Sequence, residues 1–301
     1  MADKKSIPFL IGFIVLLLFT SCSPKMNSIT KPFDLQGHRG SRGLMPENTI
    51  PAMLKAVDLG VTTLEMDAVI TKDKQVILSH EPFFNHEITT KPIGSYVTAA
   101  EEKSLNIYGM TYAETQTYDV GLKAHPKFSR QQTMRATKPL LSTVIDSVEA
   151  YCKSNNLGLP FYNIETKTKT STDNVYHPAP AEFVDLLIGV IVKKNINERI
   201  IIQSFDPRTL QYLHKKYPSI KTALLIEVFD KRDMLAQLQE LGFTPTIYSP
   251  ANELVTPALV KACHNKGIKI IPWTVNDAGK FNTLKNMGVD GIITDYPDLK
   301  F

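Results

Sequence analysis

The sequence predicts an α/β fold, a (β/α)8 TIM barrel with a small insertion after the second strand. Three observations predict it. Between residues 33 and 301, eight short apolar runs alternate with amphipathic segments, the pattern of a parallel sheet wrapped by helices. Most of these runs are continuously apolar, as strands covered on both faces are. A doubly wound open sheet is the competing arrangement, and no Gly-rich dinucleotide fingerprint supports it.

The elements follow in order. Residues 1–21 read as a signal peptide: "MADKK" is a short charged lead, and "SIPFLIGFIVLLLFT" is an apolar run shorter than the roughly 20 residues of a spanning helix. "LLLFTSC" looks like a bacterial lipoprotein cleavage box with Cys22 as the lipidated residue, although Phe19 stands where leucine is usual. An uncleaved anchor or an ordinary signal peptide is the alternative. The expectation is an exported, membrane-anchored lipoprotein on the periplasmic or cell-surface side. Residues 22–32 are polar with two prolines and read as a tether. Cys152 and Cys263 sit far apart in helix-like patterns and read as buried free thiols.

Strands are expected at 33–37 (FDLQG), 62–67 (TTLEMD), 161–166 (FYNIET) and 200–205 (IIIQSF). Four more are expected at 222–228 (TALLIEV), 246–250 (TIYSP), 268–275 (IKIIPWTV) and 290–295 (DGIITD). Helices are expected at 49–59, 141–154, 179–194, 207–216, 232–241, 257–266 and 278–287. Pro207 and Pro257 fall in first turns, where helices tolerate proline, and Gly60, Gly242, Gly267 and Gly288 follow helix ends.

Residues 81–139 break the rhythm between the second strand and its helix, a length that argues for a functional insertion. Its last part carries Lys123, Lys127, Arg130, Arg135 and Lys138 without an acid. A solvated surface and a substrate-facing role fit that stretch equally. "TKDK" before it reads as a hairpin turn. If Ile70 pairs with Gln75, Glu65 lies opposite His80.

The 301 residues are 43% hydrophobic and 21% charged, with a net charge of +4. Such a chain folds around one sizeable core and is too mildly basic to argue for nucleic acid. Chemistry in this fold sits where strands end. His38 and Arg39 follow the first strand, Glu65 and Asp67 close the second, and Glu165 and Lys167 close the third. Residues two apart on a strand share a face. Three carboxylates at one rim call for a cation between them, and oxygen ligands suit one divalent ion, Ca or Mg. Arg39 and Lys167 can hold a phosphate. His38 and His80 can exchange protons near neutral pH. Together these residues suffice to cleave a phosphodiester.

The segments "HRG", "PENT", "EMD", "SH", "IETK", "QSF", "PWTVN" and "GIITDYP" resemble, in order and spacing, the glycerophosphodiester phosphodiesterase family. The resemblance covers residues 33–301. It implies the (β/α)8 barrel with a small capping insertion. It also implies calcium- or magnesium-dependent hydrolysis of glycerophosphodiesters to glycerol 3-phosphate and an alcohol. By resemblance His38 and His80 match the acid–base histidines, Glu65, Asp67 and Glu165 the metal ligands, and Arg39 and Lys167 the phosphate contacts. Two departures touch the leaving-group side: Glu81 where the family often has Asp, and "FFNHEITT" in place of an "LxRxT" pattern.

Glu47 and Asn48 can reach the pocket, although a helix-opening turn explains them as well. Trp273, the sole tryptophan, can flank glycerol carbons or simply pack the rim. Asp295 reads as a cap or turn former, and His86 and His177 as surface residues. The rival functions are phospholipase D- or C-like cleavage of intact or lyso phospholipids, and a non-catalytic binding protein on the same barrel. No motif points to a protein partner.

Overall fold

A computed structural model describes residues 1–3 and 33–299. Cys22, the tether and nearly all of the expected signal segment lie outside the described residues. Among the described residues no helix is long and apolar enough to cross a membrane.

The chain opens with strand β1 (Asp34–Gly37), helix α1 (Ile50–Asp58) and strands β2 (Thr63–Ile70) and β3 (Val76–Leu78). Short helix α2 (Tyr112–Thr115) lies in the insertion, and α3 (Leu141–Ser154) resumes the barrel. The rest alternates: β4 (Phe161–Thr166), α4 (Pro180–Lys194), β5 (Ile200–Ser204), α5 (Pro207–Lys216), β6 (Lys221–Ile226), α6 (Met234–Leu241). It ends with β7 (Ile247–Pro250), α7 (Pro257–Asn265), β8 (Lys269–Ile270), α8 (Ala278–Met287) and β9 (Gly291–Thr294). The parallel strands run β8-β7-β6-β5-β4-β2-β1-β9, with β3 antiparallel to β2.

The seventh of the eight expected strands, which is β8 here, was expected over 268–275, but only Lys269–Ile270 pair as a strand. Pro272 has no N–H to offer a neighbour. The barrel is nevertheless joined at this seam. Asp290 N–H donates to Ile270 O at 2.9 Å, Ile293 N–H to Pro272 O at 2.9 Å, and Val275 N–H to Ile293 O at 2.9 Å.

Strand residues divide by parity. Leu64, Met66, Ala68, Tyr162, Ile164, Ile202, Leu224, Tyr248 and Ile292 join the main core against the helices. Ile201, Ala223, Ile247, Ile271 and Ile293 form a separate cluster inside the barrel, with Trp273 against it. The inward positions of β1, β2 and β4, and Gln203 in β5, instead carry polar groups: Gln36, Glu65, Asp67, Asn163, Glu165 and Gln203, all buried. Cys152 and Cys263 are buried and unpaired.

The β2–β3 hairpin differs from expectation by one residue. Ile70 pairs with Val76, Val69 with Ile77 and Ala68 with Leu78. Thr71 N–H donates to Gln75 O at 3.0 Å, and Lys74 takes φ 61°. The loop is therefore three residues closed by a left-handed position, and every partner moves by one. Ser79 N–H meets Asp67 O at 3.0 Å, and His80 lies beyond the ladder.

The insertion has its own small core of Val69, Ile77, Phe84, Ile88, Ile107 and Val120. Its basic stretch is neither plain surface nor wholly substrate-facing. Lys127 pairs with Glu87 at 2.9 Å and Arg130 with Asp298. Lys138 is buried under the barrel rim, donating to Ser79 Oγ at 2.7 Å with its ammonium 5.3 Å from the Phe84 ring centre. Arg135 is exposed.

Candidate active site

Why His38 and Arg39 can serve one pocket follows from the backbone. Successive side chains of an extended strand diverge, but β1 ends at Gly37 and the chain turns sharply. Arg39 takes φ 50° and Gly40 φ 84°. A Cβ on Gly40 would lie 2.6 Å from the backbone of Ala52, so only glycine fits between this turn and α1. The turn also aims the Arg39 N–H at Glu65 Oε2, 2.8 Å away.

Glu65, Asp67 and Glu165 are all buried, and each offers a carboxylate oxygen within 4.8 Å of the others. Each is held by neighbours. Glu65 Oε1 accepts from Gln203 Nε2 at 2.7 Å. Asp67 Oδ2 accepts from Asn48 Nδ2 at 2.8 Å, and Asn48 Oδ1 accepts from Asp67 N–H at 3.1 Å. Lys167 Nζ donates to Glu165 Oε1 at 2.7 Å and lies 3.6 Å from Asp67 Oδ1.

The electrostatics of this cluster are strained. Burial, then the Asp67 charge, pushes Glu65 well above the usual carboxyl range. Burial and Asp67 likewise raise Glu165 to about 7, against the pull of Lys167. Asp67 goes the other way: burial disfavours its charge, but Arg39 and Lys167 overcome this and hold it well below its ordinary range. Three buried carboxylates with two available cations leave negative charge uncompensated, which is the environment a hard divalent cation fits.

Two histidines flank the cluster, each braced by a carboxylate. His38 Nδ1 is 2.6 Å from Asp295 Oδ1, and its Nε2 is 4.0 Å from Glu65 Oε2. His80 Nδ1 is 2.8 Å from Glu81 Oε1. Placing a proton on Nδ1 of each satisfies the carboxylate and leaves Nε2 free for transfer, a tautomer assigned from these contacts. Burial lowers His38 despite Asp295. Burial, with Lys167 and Arg39 nearby, lowers His80 to about 4. Both rings are thus held neutral before substrate arrives.

Arg39 is buried with its Nη1 on Glu47 Oε1 and Oε2 at 2.9 and 3.0 Å. Its Nε is 3.3 Å from Asp67 Oδ2, a charge contact without hydrogen-bond alignment. Glu47 also meets Arg42 Nε at 2.6 Å. Glu47 therefore anchors two guanidinium groups instead of reaching into the cavity as a free ligand. Trp273 donates from Nε1 to Ser249 O at 2.9 Å and meets Phe205 edge-on at 5.5 Å.

His38, Arg39, Glu65, His80, Glu165, Lys167 and Trp273 all line one cavity of about 320 Å³. A larger space of about 850 Å³ shares His80, Glu165 and Lys167 with it and opens outward. Asp67, Glu47 and Asn48 are buried and do not line the first cavity.

Two expectations need correction. Asp295 is no mere turn former: it is buried, braces His38, and accepts from Asn276 Nδ2 at 2.6 Å. Its signal was topological, since β9 pairs with β1 and so delivers residue 295 beside residue 38. His177 is buried, not exposed, with Nε2 accepting from Lys169 N–H at 3.0 Å. His86 is half-exposed and pairs with Glu102 at 2.7 Å. Gln203 was not singled out, although it orients Glu65.

Known proteins share this architecture. The profile of the glycerophosphoryl diester phosphodiesterase family matches residues 38–299. A glycerophosphodiester phosphodiesterase of Bacillus altitudinis is 30% identical over 87% of this chain and 94% of its own length. One from Caldanaerobacter subterraneus subsp. tengcongensis is 28% identical, covering 87% and 93%. A solved Silicibacter pomeroyi chain, ascribed the same activity, superposes with a TM-score of 0.79 at 27% identity, covering 89% and 92%. An Oleispira antarctica phosphodiesterase solved with its product sn-glycerol-3-phosphate shares the fold at a TM-score of 0.68 and 20% identity, covering 88% and 93%. On the match of family profile, relatives and barrel alike, this chain belongs to the glycerophosphoryl diester phosphodiesterase family.

Proposed function

We propose that the protein hydrolyses glycerophosphodiesters to glycerol 3-phosphate and an alcohol, using histidine acid–base catalysis with one divalent cation. The observation that carries this reading is the set of three buried carboxylates flanked by two carboxylate-braced histidines on one cavity. Glu65, Asp67 and Glu165 would hold the ion, Ca or Mg. Bound there, it would offset charge on phosphate oxygens and help to orient the attacking oxygen.

The remaining roles fall to the chain's own residues. Arg39 and Lys167 draw the phosphate to the cavity wall, each kept in place by carboxylates behind it. One histidine accepts a proton from the attacking oxygen as its bond to phosphorus forms. The other, which must take up a proton at Nε2 as the negatively charged phosphate enters, gives that proton to the leaving oxygen as the second phosphorus–oxygen bond breaks. His80, strongly held neutral, suits the accepting role. His38 gains a charge-stabilising partner in Asp295 once protonated.

The test is a panel of glycerophosphodiesters and intact phospholipids, with glycerol 3-phosphate release as readout. Release from the diesters, lost in His80→Ala, is expected. Cleavage of intact phospholipid alone would replace this reading with a phospholipase one.

We further propose export directed by residues 1–21 and a lipid anchor on Cys22, supported by "LLLFTSC". Cys22→Ser should abolish lipid labelling and release the protein from membranes. Unchanged attachment would favour an uncleaved apolar anchor.

A further inference from the structure

Lys138 is a costly residue where it stands. It is 5% exposed, and among the described residues no carboxylate pairs with its ammonium. A buried cation without a counter-ion is destabilising, and an apolar side chain of similar length would avoid that. Its ammonium meets the Phe84 ring, whose centre is 5.3 Å away, and one hydroxyl, Ser79 Oγ, at 2.7 Å. The acids that act on it from farther off are Glu47, Glu81 and Asp67, all at the catalytic rim.

Main-chain pairing carries the lysine to that hydroxyl. Leu78 N–H donates to Pro139 O at 3.0 Å, Leu140 bridges Ile77, and Gln116 Nε2 donates to Lys138 O at 2.8 Å. Phe84 is itself stacked on Tyr118 at 4.2 Å. The end of the insertion is thus fastened to β3, and the ammonium is in place before any ligand arrives.

Beyond the hydroxyl lies the turn that bears His80. Ser79 N–H is fixed on Asp67 O at 3.0 Å, and His80 follows outside the ladder. A serine hydroxyl has one proton and rotates to suit its partners. With Lys138 donating to it, the Ser79 hydroxyl turns its own proton to Glu81 O at 2.5 Å. That bond spans His80. Glu81 then presents Oε1 to His80 Nδ1 at 2.8 Å. The backbone on both sides of His80, and the carboxylate that sets its tautomer, are tied to one hydroxyl whose direction Lys138 sets. Neither Lys138 nor Ser79 lines the catalytic cavity or the space beside it.

Resting on the phosphodiesterase reading, we propose that Lys138 is a positioning residue for His80, acting through the Ser79 hydroxyl and the turn of residues 79–81. It touches no reacting atom. Its ammonium fixes the direction of one hydrogen bond, and that bond fixes where His80 Nε2 points. Linked hydrogen bonds of this kind act as a unit, so both members are needed for the effect.

The test uses the full-length protein in detergent, with glycerol 3-phosphate release from glycerophosphocholine as readout. Lys138→Met, Ser79→Ala and the double variant are compared for kcat, KM and thermal midpoint. Each single variant should lower kcat by about 5- to 50-fold, since small misplacements of a reacting group are that costly, and leave KM within about twofold. Ser79→Ala strands a buried ammonium and should lower the midpoint, and the double variant, which removes both partners, should recover it. Its kcat should stay as low as that of the worse single variant, because both changes break one relay. If either single variant fails to fold, the double variant still decides. A kcat that recovers with the midpoint in the double variant, or a loss carried by KM, would reduce Lys138 to a packing residue and overturn the inference. Wild-type protein that releases no glycerol 3-phosphate would overturn the phosphodiesterase reading as well.

Discussion

The two halves of the barrel interior have the same backbone and opposite chemistry. Toward β6, β7, β8 and β9 the axis is filled by Ala223, Ile247, Ile271 and Ile293, with Ile201 of β5 at the border between the halves. Toward β1, β2, β4 and β5 it is filled by a chain of hydrogen bonds. Gln36 donates to Asp34 at 2.8 Å, Asn163 to Gln36 at 2.8 Å and to Gln203 at 2.9 Å, and Gln203 to Glu65 at 2.7 Å. The apolar half gains from excluding water and needs no directional partners. The polar half needs directional partners for its buried groups; all but Asn163 Oδ1 in this hydrogen-bonded chain find one, and the same partners fix the carboxylates. Stability is concentrated in one half, and the geometry for chemistry in the other.

The largest effect should come from the polar rim. His38→Ala should lower kcat on the order of 10²–10⁴-fold, the scale of a lost general acid or base. Asp295→Asn should cost about 10–100-fold, as other orienting partners of functional imidazoles do. Both should leave the thermal midpoint nearly in place. A His38→Ala variant with near-normal kcat would remove the polar half from catalysis.

Next in size is the converse. Ile271→Ala, in the apolar half, should destabilise the fold by about 2–5 kcal/mol by opening a cavity. At temperatures where it stays folded, kcat/KM should match the wild type. Chemical denaturation with activity assays checks both. A folded Ile271→Ala enzyme as impaired as His38→Ala would dissolve the division between halves.

The smallest effect sharpens the comparison behind the polar half. Burial lowers Lys138 from its ordinary 10.5 to about 8. Between those values the unfolded chain keeps a proton that the folded chain has given up, so this residue's contribution to stability rises with pH. The difference in thermal midpoint, wild type minus Lys138→Met, should therefore move in favour of the wild type from pH 7 to pH 9.5. A difference independent of pH would mean that Lys138 titrates as an exposed lysine does.

Much of this was legible in the sequence, because alternating strands and helices leave a strong pattern. Helices 141–154, 207–216 and 278–287 and strand 161–166 begin and end where periodicity, proline and glycine put them. The three carboxylates were legible because Glu65 and Asp67 alternate on one strand, which runs on to Ile70 and does not close at Asp67 as expected, and Glu165 sits near the end of its neighbour. What the sequence hid was set by distant pairing. The His38–Asp295 contact spans 257 positions and depends on the last strand returning to the first. The hairpin register turned on one left-handed residue, Lys74, with no glycine or asparagine to announce it. His177 looked like a surface residue, and Lys138 could as well have been surface as substrate-facing, because polarity was the only cue; the partner that buries Lys138 is Ser79, 59 positions away.

The central claim is that Glu65, Asp67 and Glu165 form a cation site on which turnover depends. The most direct measurement is glycerol 3-phosphate release by chelated protein, titrated with Ca and with Mg, in the wild type and in Glu65→Gln. The account predicts no turnover in chelator, recovery on adding one of the two ions, and a higher ion requirement in Glu65→Gln. Full turnover in excess chelator would contradict it.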